Sequence, residues 1–190
     1  MAAASALGLL LAACQDLTVP GGSLTTADLV ILPLSSAAPA PAGLSFYVSN
    51  AHNTTRGLIH PDGFNTLFAQ LTVPAGALAS LDGTPLGAND SVLVTLTADP
   101  GVYGVRIAPA GLAFAGSAEP TLTLSYVRYA DFSVIASSGY ADASAYESAL
   151  EIWDETSSDT WLPIGGSGAA GSDVSATLSQ AGHFVAAAPR

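Results

Sequence analysis

The sequence predicts an all-β fold, an antiparallel sandwich, and three observations lead there. Apolar and polar residues alternate with a period of two over short stretches, the spacing that sends one row of side chains into a core and the other into water. These stretches recur at intervals of roughly ten residues with Gly, Pro, Asn or Asp between them, which suits short strands joined by turns rather than strands alternating with helices. The composition points the same way. Among 190 residues there is no lysine and only four glutamates, charged residues make up 10%, and the chain carries 19 glycines and 12 prolines. Such a mixture favours strands and turns over helices.

The clearest element runs from Ile107 to Tyr126. Leu122, Leu124 and Tyr126 alternate with Thr121, Thr123 and Ser125, a half-buried strand, and the corner Pro109-Ala110-Gly111 leads into Leu112 and Phe114. Proline supplies a fixed φ there and glycine a permissive one. Upstream, Phe68–Val73 reads as a strand entering a second corner, Pro74-Ala75-Gly76. Ser91–Thr97 and Val102–Ile107 follow, separated by Asp99-Pro100-Gly101. Downstream, Phe132–Ile135, Leu150–Trp153, Thr160–Ile164, Val174–Leu178 and His183–Ala187 complete the set of expected strands. Ala141–Leu150 could form a turn or two of helix, with Glu147 and Glu151 on one face. Nearer the start, Leu29–Leu32 and Leu44–Val48 are apolar pieces separated by a Pro/Ala/Ser stretch, 33–43, that cannot form regular helix. Residues 14–57 therefore read as a tether with one or two strands, which either pair together or join the main sheet, and 58–190 as the sandwich domain.

Four arginines, Arg56, Arg106, Arg128 and Arg190, stand against fifteen acids, for a net charge of −11. No basic footprint exists to neutralise phosphates, so nucleic acid is excluded as a partner, and an anionic membrane surface would repel the chain.

The first thirteen residues form an apolar run too short to span a bilayer, for which about 20 residues are needed. They read as the hydrophobic region of an export signal, without the usual basic residues in front. Their end, Leu11-Ala12-Ala13-Cys14, resembles the lipobox of bacterial lipoproteins. That resemblance implies a signal peptide over 1–13, lipid (diacylglyceryl and palmitate) on Cys14, and a membrane anchor in the bacterial cell envelope. Gln15 rather than Asp after the cysteine implies the outer membrane, periplasmic or surface face. Cys14 is the only cysteine, so the anchor leaves none for a disulfide.

Several segments also line up in order with one family. Leu71–Leu78, Ile107–Phe114, Pro120–Tyr126, Leu150–Trp153 with Trp161, and Gly182-His183-Phe184 together resemble the ZU5 domain found in ankyrins, netrin receptors and bacterial surface proteins. The resemblance covers roughly residues 58–190 and implies a β-sandwich that mediates protein contacts without a cofactor. Some members cut themselves at His-Phe-Ser. Here His183 and Phe184 match but Val185 replaces the serine; with no hydroxyl to attack the preceding carbonyl, the motif is degenerate and the chain is expected to stay uncleaved.

Other chemistry is weaker. Gly166–Gly171 spells G-x-G-x-x-G but precedes an alternating strand instead of a helix, so it reads as a hairpin loop and not a nucleotide site. Glu147, Glu151, Asp154, Glu155 and Asp159 read as a solvated acidic loop, with weak Ca²⁺ binding as the alternative. His52, His60 and His183 lack zinc-site spacing; the first two are expected in loops, the third in a structural hydrogen bond. Trp153 and Trp161 read as paired core residues, with a glycan platform as the alternative. No signature surrounds any serine, so no catalytic set is assigned. The expectation is a non-enzymatic, lipid-anchored envelope protein with a structural or protein-binding sandwich; the alternative is a carbohydrate- or Ca²⁺-binding surface module.

Overall fold

The computed structural model describes residues 22–166 and 172–190, and within them the chain is an all-β protein built of antiparallel sheets. The largest sheet centres on β14 (His183–Pro189). One edge of β14 pairs with β11 (Glu151–Ser157), which pairs in turn with β12 (Thr160–Gly165). Its other edge is shared by β8 (Gly104–Ala108) and, further along, β1 (Leu29–Ile31). Beyond β8 lie β7 (Ser91–Ala98) and then β2 (Leu44–Ser49). A second sheet runs β13 (Asp173–Thr177), β10 (Thr121–Ser125), β4 (Leu67–Val73), β3 (Thr54–Ile59). A third small sheet is made of β5 (Leu78–Leu81), β6 (Thr84–Pro85) and β9 (Leu112–Phe114).

The alternation read in β10 is realised: Leu122 and Leu124 are buried, Thr121 and Thr123 are half-buried. They meet Leu71, Phe68, Val94, Leu96, Val105 and Phe184 in one main core. Each such side chain contributes about 1.5–3 kcal/mol by leaving water. The two Pro-Ala-Gly corners do matching work. Gly76 and Gly111 both take a left-handed backbone, and the strands they feed, β5 and β9, pair with each other, Leu78 opposite Phe114 and Leu81 opposite Leu112. At Gly111 a side chain would also run into Asp82, whose N–H donates to the Gly111 carbonyl. Buried Asn50 fixes the same region by accepting from Leu78 N–H and donating to the carbonyls of Leu78 and Gly87.

One expected strand is absent, and the short helix expected in 141–150 is present without Glu151. Phe132–Ile135 is not a strand. Phe132–Ser137 is a 3₁₀ segment, opened by the Asp131 carboxylate accepting from Ser133 N–H at 2.9 Å, because a short apolar run carries no period and the capping Asp decides it. The helix hinted at in 141–150 is α1 (Ala143–Ala149), capped by Asp142 and holding buried Tyr146, whereas Glu151 belongs to β11.

The segment read as a tether is stitched into the body from Leu24 onward. Leu24 exchanges backbone hydrogen bonds with Trp161 at 2.9 and 2.8 Å, β1 lies beside β14, and β2 joins the large sheet. Even the Pro/Ala/Ser stretch is bound: the Pro33 carbonyl accepts from Asp131 N–H, and Ser35 N–H donates to Tyr129. Proline lacks a donor but keeps its acceptor. Strand β3 runs across the boundary expected at residue 57/58.

Candidate functional site

Cys14 lies outside the described residues. The degenerate motif opens β14, with His183 opposite Arg106, Phe184 opposite Val105 and Val185 opposite Gly104. Phe184 points into the main core, Val185 into a second apolar cluster on the sheet's other face.

His183 is the centre of a charge cluster assembled from three strands and a turn. Its Nδ1 meets Glu155 on β11 at 2.5 Å and its Nε2 meets Asp99, in the turn between β7 and β8, at 2.5 Å. Arg106, across the ladder, reaches Asp99 at 3.2 Å. Burial disfavours the charged ring, yet the two carboxylates outweigh it and raise the His183 pKa. Burial likewise pushes Asp99 up, but the hydrogen bond and charge of His183, with Arg106, leave its pKa lowered. The raised pKa favours the imidazolium, which donates from both nitrogens. Neither nitrogen is then free to take a proton from a nucleophile. Asp154, on the sheet's inner side, is buried with its pKa raised by desolvation, partly offset by Gln180 and His183.

The acidic run is not a solvated loop. Glu147 sits on α1, Glu151, Asp154 and Glu155 on β11, and Asp159 in the β11–β12 turn, where it accepts from Thr26 N–H at 2.9 Å. A run that looks dense in sequence is divided because strand geometry sends successive side chains to opposite faces. Trp153 and Trp161 are buried, but not between the sheets. They lie on the large sheet's outer face with Leu29, Val185 and Ala187, covered by Leu24 and Ile31. Trp153 Nε1 donates to the Ala187 carbonyl and Trp161 Nε1 to Thr26 Oγ1. Gly165 ends β12 in one sheet and Asp173 begins β13 in another; residues 167–171 of the glycine run expected as a hairpin loop lie outside the described residues. His52 is exposed in the β2–β3 turn; His60 also lies in a loop, directly after β3, but is buried there, its Nδ1 donating to the Pro39 carbonyl at 2.7 Å.

A second arrangement was not legible in sequence. Loop 60–66 and segment 126–130 are locked together by Asp62, which accepts from Tyr129 Oη at 3.1 Å, from Thr66 Oγ1 and from Phe64 N–H at 2.9 Å. These hydrogen bonds, that of Thr66 foremost, hold the Asp62 carboxyl far below the usual range. The Arg128 guanidinium lies 4.4 Å from the Phe64 ring centroid and 3.8 Å from Asp62. Phe64 is 71% exposed and Val127 65%. His60 stacks edge-on beneath Tyr129 and Phe68. Asp62 and Tyr129 are 67 residues apart, and only the turn residues Asp62-Gly63 gave any local signal.

The fold and these two sites define an all-β antiparallel sandwich protein with a partly buried charge clamp around His183 and an exposed aromatic–arginine surface at Phe64 and Arg128. Compared with family models, curated proteins and solved structures, the chain matches none.

Proposed function

We propose that the protein is a non-enzymatic, lipid-anchored module of the bacterial cell envelope whose β-sandwich binds another protein. The observation that carries the binding role is the surface formed by Phe64, Val127 and Arg128. An exposed aromatic ring with arginine on its face, held by a satisfied carboxylate, has the composition of interface hot spots and loses little freedom on docking. The engagement of both His183 nitrogens by carboxylates supports the non-enzymatic reading. The lipobox-like ending at Cys14 supports the anchor, and the ordered segments quoted above support kinship with ZU5 domains. Since Leu24 is already part of the body, an anchor at Cys14 would leave nine intervening residues, a reach of about 30 Å at full extension. The sandwich would then work close to the membrane.

The test places a photo-crosslinking residue at position 64 in intact cells, with position 123 on the exposed side of β10 as control. A discrete adduct from 64 alone, lost on Arg128→Glu, is the expected result; equal labelling from both positions, or none, refutes the binding role. In the same cells Cys14→Ser should abolish palmitate incorporation and release the protein from membranes. A membrane-bound Cys14→Ser protein refutes the anchor.

A further inference from the structure

A pocket of about 570 Å³ opens where the first half of β11, the end of β14 and segment 138–141 meet. Its size falls within the roughly 300–1,000 Å³ of small-molecule sites. Tyr140, Ala141, Ala149, Pro163 and Pro189 give it apolar walls, with Trp153 sealed beneath. The walls are fixed: Tyr140 Oη donates to the Pro189 carbonyl at 2.6 Å, and Tyr146 Oη, on the helix that carries Ala149, donates to Val30 at 2.9 Å. One carboxylate, Glu151, lines this apolar space half-buried, and among the described residues it has no ion pair and no hydrogen bond. The cation at the rim, Arg190, is turned to the N-terminal segment, its Nε donating to the Ala27 carbonyl at 2.9 Å.

We propose that this pocket binds an organic ammonium ion with an apolar body, its charged head held by the Glu151 carboxylate and its body packed on Pro163, Pro189 and the Tyr140 ring. The Glu151 carboxylate, half-buried and without a partner among the described residues, is under-solvated, consistent with the upward shift of its pKa by burial. An ammonium group replaces the missing hydration with a charge-assisted hydrogen bond, roughly twice the strength of a neutral one. The chain's net charge of −11 draws cations toward the surface. The head group could come from a free amine or from a lysine side chain of another protein. The inference stands independently of the envelope reading.

Titration of the full chain, followed through the indole N–H signals, separates the possibilities. Hexylammonium represents a free amine and Nα-acetyl-lysine methylamide a protein side chain; hexanol and hexanoate are the neutral and anionic controls. Expected is saturable perturbation of the Trp153 signal, larger than that of Trp161, by at least one ammonium compound, with hexanol about tenfold weaker or more and hexanoate inert. The tighter of the two ammonium probes identifies the source. Glu151→Gln should weaken the ammonium compound about tenfold and leave hexanol unchanged. Equal affinity for hexylammonium and hexanol on the native chain, or no saturable shift with either ammonium compound, overturns the proposal without reference to the variant.

Discussion

The large sheet presents two halves of one outer face, and they differ. Around β11, β12 and β14 the outward side carries an apolar cluster, Trp153, Trp161, Val185 and Ala187, sealed by Leu24, Leu29 and Ile31 of the N-terminal segment and bordered by the His183–Glu155 pair. Around β7 and β2 the outward row is Ser45, Thr95, Ser49 and Ser91, with Tyr47 and Leu93 facing each other across the ladder at 70% and 49% exposure. The contrast shows in burial: β14 is buried from Phe184 through Ala188, while the outward residues of β7 reach solvent or sit half-buried. A strand covered on both faces must be apolar throughout, whereas a strand covered on one needs only alternate apolar residues. The run Phe184-Val185-Ala186-Ala187-Ala188 therefore records the presence of the N-terminal segment as a covering strap.

Substitutions that break this contrast should rank by how much sealed surface they open. Trp153→Ala removes the largest fully buried side chain and should cost about 3–5 kcal/mol in urea unfolding. His183→Ala leaves Asp99 and Glu155 facing each other without their shared cation, and should cost about 1.5–3 kcal/mol, the range for hydrogen bonds to charged groups. The pH dependence sharpens the assignment. Because the folded pKa of His183 is raised, its contribution is complete below the ordinary histidine value of about 6.5 and is lost as pH rises through the folded value. Asp99 is lowered, so its contribution is present above about 3.8 and is lost in more acidic solution. Unfolding free energy of the native chain should thus fall as pH rises above about 6.5, and His183→Gln should flatten that fall. Thr26→Ala, which removes the acceptor of the Trp161 indole N–H, should cost about 1 kcal/mol. Leu93→Thr on the bare half should stay within about 0.5 kcal/mol of the native chain.

What the sequence disclosed follows the same division. Strands covered on one face, such as β7 and β10, were legible from alternation, and both Pro-Ala-Gly corners from proline and glycine. Leu29–Leu32 was recognisable as apolar, but nothing local told that it would lie against β14, more than 150 residues away. Residues 33–43 read as a spacer because their bonds run through backbone N–H and carbonyl groups, which composition does not display. Phe132–Ile135 was misread because an Asp cap outranks a short apolar run. His183 was picked out, yet its partners Asp99 and Glu155 stand 84 and 28 positions away, and Asp99 announced only a turn. The Asp62 lock and the Glu151 pocket likewise depend on pairings between distant elements.

Hydrogen exchange of the two indole N–H groups tests the sealed half most directly. Trp153 should exchange only with global unfolding, since its N–H is bonded to Ala187 beneath the strap, and Trp161 faster, through lifting of the segment that carries Thr26. Thr26→Ala should accelerate Trp161 and leave Trp153 slow. Two indoles exchanging at the rate of a free peptide would contradict the strap and the architecture built on it.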